Sequence, residues 1–193
     1  MPKVETFNKE FVLKQAIEVF HDKGYNATSM QDLVDATGLN RSSIYNSFDS
    51  KLNLFMECLN AYQAKYIRET SKVLLKANNP IHAIELIFDL YLKEIIKDKF
   101  DRGCMITNCK SEMANHEGLI TNFLNMNQQS TIALLEDLVS KGQEETLINN
   151  KRTPSEYALY LYSSLQGFRM TGILITDRTH LKSIVNTVLQ TLI

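Results

Sequence analysis

The chain has 193 residues, 44% of them apolar, and a formal net charge of −1 at pH 7. This length and composition allow one or two domains with a sizeable core, and the charge balance shows no bulk basic or acidic character. There is no N-terminal signal pattern and no apolar run long enough to cross a bilayer, and Cys58, Cys104 and Cys109 follow no metal-binding spacing. We therefore expect a soluble cytoplasmic protein without membrane contact, metal or other cofactor.

Helical periodicity dominates the sequence, and the first helix is predicted over residues 7–23. Gly24 is predicted to end this helix, because glycine readily takes the left-handed conformation that follows helices. Its apolar stripe contains Phe11, Val12, Ala16, Val19 and Phe20.

Residues 28–51 have the pattern of two short helices joined by a glycine turn. Thr28 and Gln31 have the spacing of a capping box that would start the first of these helices. Gly38 is predicted to end it, and Asn40 is predicted to cap the second. Together with the helix before it, this pattern predicts a three-helix, homeodomain-like head.

The second short helix, predicted over residues 41–47, has one apolar and one polar side. Arginine and asparagine can pair with base edges, and serine and tyrosine hydroxyls suit phosphates, so the polar side could read a DNA major groove. The alternative is an ordinary two-helix corner. The apolar side contains Leu39, Ile44 and Phe48, and the polar side contains Arg41, Ser42, Tyr45 and Asn46.

From about residue 11 to residue 55 the chain resembles the DNA-binding domain of the TetR/AcrR family of bacterial transcriptional regulators. The order and spacing of the matching residues both hold over about a quarter of the chain. The matching positions are Ala16, Phe20, Lys23, Gly24, Tyr25, Ala27, Thr28, Ser29, Ala36, Gly38, Leu39, Ser43, Ile44, Tyr45, Phe48, Ser50 and Lys51.

This resemblance implies roles for individual residues. It implies that Thr28, Tyr45 and Lys51 contact the DNA backbone, and that Arg41, Ser42 and Asn46 read bases. At Ser47 the chain departs from the family, which usually has an aromatic residue or histidine there. The complete set of predicted DNA-binding residues is Thr28, Asn40, Arg41, Ser42, Ser43, Tyr45, Asn46 and Lys51.

The charge of the predicted head argues against strong ionic attraction to DNA. Acidic side chains outnumber basic ones by one between residues 1 and 51. Because phosphate neutralisation dominates nonspecific affinity, we expect few ionic contacts, a modest salt dependence, and binding that relies on dimerisation and hydrogen bonds.

Two further amphipathic helices are predicted over residues 50–77 and 80–99, separated by the stop signal Asn78-Asn79-Pro80. The first spans roughly 40 Å at 1.5 Å per residue, enough to connect the head to a separate body. We therefore predict a DNA-binding domain at residues 1–50 and a ligand-binding and dimerisation domain at residues 51–193.

Residues 101–103 are predicted to interrupt the helices, and Cys104 follows directly after Gly103. The resemblance implies that a helix starts there beside a ligand cavity. At a helix N-terminus the pKa of its thiol would be lowered, which would favour a reactive thiolate. The alternative is that Cys104 is simply a small buried apolar residue.

Glu112 and His116 could join a cysteine in a metal site, but they follow no ligand pattern.

Three more helices are predicted: from residue 118 to about 141, from Pro154 to about 175, and from about 178 to the C-terminus. The polar residues 125–129 are either a solvated face or hydrogen-bonding groups in a cavity. Thr153 and Glu156 form a capping box with Pro154 between them. The last helix has an apolar stripe, and we interpret the last two helices as half of a four-helix dimer interface; the alternative is that the stripe closes the monomer core. The stripe contains Leu181, Ile184, Val185, Val188, Leu189 and Leu192.

The sequence therefore predicts an all-α fold with a three-helix head and a body of roughly six helices. The resemblance implies that the body binds a small apolar or aromatic effector, although the same residues could be plain core. The predicted ligand-binding residues are Tyr62, Tyr66, Phe88, Tyr91, Cys104, Met105, Phe123, Tyr160 and Phe168.

From this pattern we expect a homodimeric repressor that binds a palindromic operator in double-stranded DNA and is released by the effector. Two alternatives remain at this point. One is a redox or electrophile sensor of the same family that uses Cys104, and the other is a helical ligand carrier without DNA function. No segment gathers a nucleophile, a base and an orienting group, so we expect no enzyme activity.

Overall fold

The computed structural model describes residues 7–98, 100, 102–113 and 118–193. These residues form nine α-helices and no strands, which confirms the all-α fold class. None of the described helices combines the length and the apolar character that a membrane span requires. The helices are α1 Lys9–Ala27, α2 Met30–Thr37, α3 Arg41–Phe48, α4 Lys51–Leu74, α5 Pro80–Lys97, α6 Met105–Met113, α7 Leu119–Glu144, α8 Pro154–Thr171 and α9 Arg178–Gln190.

Most helix boundaries follow the capping signals in the sequence. Gly38 takes a left-handed conformation with φ 71° and ends α2, and the side chain of Asn40 caps α3, as predicted. Asn79 caps α5 with Pro80 in its first turn. The predicted capping box at the start of α8 is also present, with Thr153 as its N-cap.

The capping box predicted for α2 is displaced by one residue. Ser29, not Thr28, is the N-cap, and its partner is Asp32 rather than Gln31. The reason is that Thr28 is buried and its hydroxyl donates to the Gly24 carbonyl oxygen at 2.6 Å, whereas Ser29 is exposed and can bond the Asp32 carboxylate.

Gly24 interrupts α1. Its φ of 74° and ψ of 178° are non-helical, so the first helical stretch ends there as predicted, and a second short stretch follows to Ala27. A residue of the body stabilises the backbone that follows Gly24. The Glu112 carboxylate of α6 accepts hydrogen bonds from the backbone N–H groups of Tyr25 and Asn26, at 2.9 and 2.6 Å.

Two apolar clusters form the core. The first joins the three head helices to the start of α4, and it continues into α6 and the beginning of α7. Val12, Ala16 and Phe20 of α1 belong to it, but Phe11, which we predicted to join them, is 52% exposed. The second cluster unites α5, α7, α8 and α9. Because α6 shares its core with the head, the head and body are packed together.

The terminal helix corrects our reading of its apolar stripe. Leu181, Val185 and Leu192 are fully buried within one chain, and α9 packs against α5. The stripe therefore closes the monomer core, and it does not by itself require a second chain. A dimer through the last two helices remains a prediction that must rest on other surfaces.

Candidate nucleic-acid interface and internal cavity

Helix α3 presents the polar face that its sequence predicts. The face is fixed from beneath by Ile44 and Phe48, which are almost fully buried in the first core cluster. Tyr45, with 44% of its surface accessible, lies beside the other three polar side chains. The residues exposed on this side of the helix are Arg41, Ser42, Tyr45 and Asn46.

Both ends of α3 are geometrically defined. Asn40 accepts a hydrogen bond from the Ser43 backbone N–H at 2.8 Å, which fixes the first turn. At the other end Asp49 has a positive φ of 62° and its N–H donates to the Tyr45 carbonyl oxygen. A helix held at both ends and from beneath can present its side chains without a large ordering cost.

Lys51 lies at the start of α4, and its ammonium group makes two hydrogen bonds within the head. Its ammonium donates to the carbonyl oxygens of Tyr25 and Thr28, at 2.8 and 2.7 Å, and lies 4.3 Å from the centroid of the Tyr25 ring. One N–H of the ammonium remains for another acceptor. Thr28, in contrast, is 2% exposed, so its side chain is not part of the outer face of the head.

A cavity of about 260 Å³ lies in the body between helices α4 to α8. One wall is built from three tyrosines, with ring centroids 4.8 Å apart for Tyr62 and Tyr66 and 5.7 Å apart for Tyr66 and Tyr91. The remaining lining combines aliphatic side chains with uncharged polar side chains of α4 and α7. The aliphatic residues include Ile87, Ile106, Leu134, Leu135 and Leu165, and the polar ones are Gln63, Thr70, Ser71, Asn127, Ser130 and Thr131.

A larger cleft of about 850 Å³ lies between α1 of the head and helices α4 and α5 of the body. The cleft and the cavity share a wall, so the two spaces are separated by a single layer of side chains. The shared residues are Tyr62, Tyr66, Tyr91, Cys104 and Arg169.

Arg169 of α8 is the polar centre of this wall, and sequence reasoning missed it. Its guanidinium carbon lies 3.6 Å from the centroid of the Tyr91 ring, and Nη1 lies 3.7 Å from the Cys104 sulfur. The signal was available: Arg169 follows the buried Leu161 and Leu165 at intervals of four residues, so it interrupts the apolar stripe of α8 with a charge.

Cys104 lies immediately before α6, as the resemblance implied. Burial raises the pKa of its thiol, but the Arg169 guanidinium and hydrogen bonds from Thr107 and Ile106 outweigh burial, and the pKa lies below its ordinary value. The other two thiols differ, because burial raises the pKa of Cys58 well above its usual range and that of Cys109 to about 12.

The structure brings together four of the nine predicted ligand residues, namely Tyr62, Tyr66, Tyr91 and Cys104. The other five do not line the cavity. Phe88 and Phe168 pack edge to face in the second core cluster at 5.8 Å. Met105 and Phe123 are buried in the first cluster, and Tyr160 lies on the outer face of α8. The polar segment of α7 is mostly solvated, but Asn127 lines the cavity.

Helix α6 connects the cavity to the head. At its start the Met105 N–H donates to the Tyr62 hydroxyl at 3.4 Å, and near its end Glu112 holds the kink of α1. Two further links precede α6: Arg102 pairs with Glu18 at 2.6 Å, and the His21 ring donates to the Gly103 carbonyl oxygen at 2.8 Å.

The metal site considered for Glu112 and His116 gains no support. Both Glu112 oxygens accept backbone hydrogen bonds, and His116 lies outside the described residues. No group of metal-ligating side chains occurs within the part of the chain that the structure describes.

Two family models match the chain. Residues 12–58 match the model described as "Bacterial regulatory proteins, tetR family", and residues 80–188 match "Tetracyclin repressor-like, C-terminal domain".

Individual proteins are similar over nearly the whole chain. The uncharacterized HTH-type transcriptional regulator YezE of Bacillus subtilis is 27% identical, with 96% of this chain and 98% of YezE covered. The HTH-type transcriptional repressor ComR of Escherichia coli is 25% identical, with 89% of this chain and 81% of ComR covered. A cysteine mutant of the TetR family transcriptional regulator CifR, solved with a 26-base-pair operator duplex, has the same fold, with a TM-score of 0.83 at 21% identity over 99% of this chain and 100% of that chain.

Proposed function

Because this chain belongs to the TetR family of bacterial regulatory proteins, we propose that it is a repressor that binds a palindromic operator as a homodimer and is released by a small effector. The family consists of DNA-binding transcriptional regulators and not of enzymes, which excludes a ligand carrier without DNA function. The observation that carries the proposal is the exposed polar face of α3, held on a buried apolar base.

Within this proposal α3 lies in the major groove. Arg41, Ser42 and Asn46 read base edges, because arginine and asparagine match the acceptor and donor patterns of guanine and adenine. Tyr45 and the free N–H of Lys51 contact phosphates, with Asn40 and Ser43 at the start of the helix beside them. Thr28 contributes no exposed hydroxyl, so we assign it no side-chain contact.

The test is selection of the purified protein on a pool of random duplexes at near-physiological salt. We expect enrichment of a palindrome whose half-sites lie one or more helical turns apart. Arg41→Ala should change the enriched sequence, whereas the control Arg152→Ala, which removes an exposed arginine from the body, should not. A pool without enrichment, unchanged by Arg41→Ala, would overturn the proposal.

The dimer would form through the outer faces of α8 and α9. Leu159, Tyr160 and Met170 are exposed on α8, and an added side-chain carbon at Gly167 would meet nothing within 4 Å. Exposed apolar side chains around a bare backbone are suited to close packing against a second copy of the same helix.

The position of the cavity supports release by an effector. A molecule bound against the tyrosine wall contacts α4, which enters the head, and the start of α6, which holds the head at Glu112. An effector that binds a different placement of these helices better than the operator-bound one must weaken DNA binding, and DNA must weaken effector binding equally.

A thiol sensor is the second candidate, supported by the lowered pKa of Cys104 beside Arg169. In this case the thiolate sulfur would form a bond to one alkene carbon of N-ethylmaleimide, the π bond of the alkene would break, and the other alkene carbon would take a proton from water. Cys104→Ala should then abolish release of the operator by N-ethylmaleimide while preserving operator binding, and Cys109→Ala should retain release. Release that persists in Cys104→Ala would remove this candidate.

A further inference from the structure

The cavity has an unusual charge pattern. Of the described residues that line it, Arg169 is the only one with a permanently charged side chain, and the rest are Cys104 and aliphatic, tyrosine or uncharged polar residues. No ion pair joins Arg169 to a carboxylate within the described part of the chain, and its Nε has no hydrogen-bond acceptor. Arg169 is half-buried, and a cation partly removed from water without a partner is costly, so proteins ordinarily supply a counter-charge.

The neighbours of Arg169 do not supply a permanent counter-charge. Burial raises the pKa of Tyr62, Tyr66 and Tyr91, so these phenols are neutral at physiological pH. Cys104 is the one neighbour whose ionisation the guanidinium assists, and it contacts Nη1 from one side only. The Nε atom of the guanidinium is buried and has no hydrogen-bond acceptor among the described residues.

The Glu94 carboxylate of the adjoining cleft is already engaged. Glu94 accepts a hydrogen bond from the Tyr66 hydroxyl at 3.2 Å and lies 3.8 Å from the Lys65 ammonium, and it lines the cleft but not the cavity. The other cation beside α6 is engaged too, because the Lys110 ammonium donates to the Tyr162 hydroxyl. The cavity therefore presents one permanent positive charge among aliphatic, tyrosine and uncharged polar side chains.

We propose that the effector is a small carboxylate with a compact apolar body, whose carboxylate pairs with Arg169 while the body contacts Ile87, Leu135 and Leu165. An arginine guanidinium presents planar pairs of donors that match the two oxygens of a carboxylate. A dianionic phosphate would keep one charge without a partner, because Arg169 is the single cation among the described lining residues. The cavity volume of about 260 Å³ suits a molecule of the size of benzoate or hexanoate. This inference rests on the proposed function, because it names the chemical class that the effector cavity takes.

The experiment is calorimetric titration of the full chain with benzoate and hexanoate, each matched against its neutral amide, benzamide or hexanamide. The wild type should bind each acid about ten- to a hundredfold more tightly than its amide, since a hydrogen bond to a charged partner contributes about 1.5–3 kcal/mol. Arg169→Gln, which keeps a polar side chain but no charge, should bind acid and amide alike. Arg169→Lys should retain part of the preference.

Cys104→Ser is the matched control for the neighbouring thiol. It leaves the guanidinium in place, so the preference for the acid should persist. Equal affinity of the wild type for acid and amide, no measurable binding of either acid at millimolar concentration, or a preference that survives in Arg169→Gln would each overturn the proposal. Loss of the preference in Cys104→Ser would also do so, because the thiol would then be the determinant.

Operator binding is measured on the same preparations without acid. It reports whether Arg169→Gln is folded, and it separates the two ideas. An intact acid preference in a protein that selects no operator would contradict repression but support the carboxylate site, and the reverse result would contradict only the site.

Discussion

The close approach of Glu112 to Gly24 restricts which residue can occupy position 24. Gly24 has a positive φ, and a side-chain carbon there would lie 2.7 Å from the Glu112 carboxylate oxygen. Gly38 also has a positive φ, but open space surrounds it. A side chain at Gly24 would therefore cause both backbone strain and a steric clash, whereas a side chain at Gly38 would cause backbone strain alone.

The pair of glycines allows a direct comparison. Gly38→Ala should lower the free energy of unfolding by about 1 kcal/mol through backbone strain alone. Gly24→Ala should lower it by at least about 1 kcal/mol more, because the Glu112 carboxylate must also move and lose its backbone partners. Urea unfolding at one protein concentration measures both. Equal losses would show that Glu112 does not hold the kink.

The reactivity of Cys104 should depend on pH through Arg169. The guanidinium stabilises the thiolate, so the folded pKa is lowered and the alkylation rate should reach its plateau at a lower pH than for a free thiol. Arg169→Gln removes that stabilisation, so the profile should move to higher pH. Mass spectrometry after iodoacetamide treatment identifies the modified residue. A profile unchanged by Arg169→Gln would contradict the contact.

At the scale of the helix, α3 separates two roles along one exposed face. Tyr45→Phe removes a hydroxyl that we assign to a phosphate, so affinity for every duplex should fall alike, by about 1 kcal/mol. Arg41→Ala should cost about 1–3 kcal/mol on the preferred sequence and less on others. Competition binding with the selected palindrome and its single-base variants distinguishes the two patterns. The assignment of Arg41 to base reading fails if its loss affects all variants equally.

Helix α6 is short, but it touches both functional parts of the molecule. Glu112→Ala should remove two hydrogen bonds to the backbone of the head, so hydrogen exchange at the amides of Tyr25 and Asn26 should accelerate. Amides in α9, which shares no core cluster with α6, serve as the internal control. Uniform acceleration across the chain would indicate general destabilisation instead.

Sequence periodicity predicted the helices well but not the partners of their faces. The turn at Gly38 and the caps at Asn40 and Thr153 are local signals, since each involves residues within a few positions, and all three were confirmed. The stripe of α9 was misread because periodicity shows that a face is buried and not what buries it. Arg169 meets residues more than sixty positions away, and no local pattern encodes that meeting.

For the whole molecule, the dimer decides whether two heads act together. Leu159→Glu should place charges at the proposed α8 interface, and Leu75→Glu, a change at an 87% exposed site at the end of α4, is the matched control. We expect Leu159→Glu to sediment as a monomer and to lose operator affinity by about a hundredfold or more, because linked half-sites gain from effective concentration. A dimer that survives Leu159→Glu would place the interface elsewhere.

The tyrosine wall also gives the protein a built-in optical reporter. The chain has eight tyrosines and no tryptophan, so no indole takes up or masks the tyrosine emission. Three of the eight rings line the cavity, and one of them is stacked against the Arg169 guanidinium. Occupation of the cavity should therefore change the ultraviolet fluorescence of the unlabelled protein, so that candidate molecules can be screened by light alone.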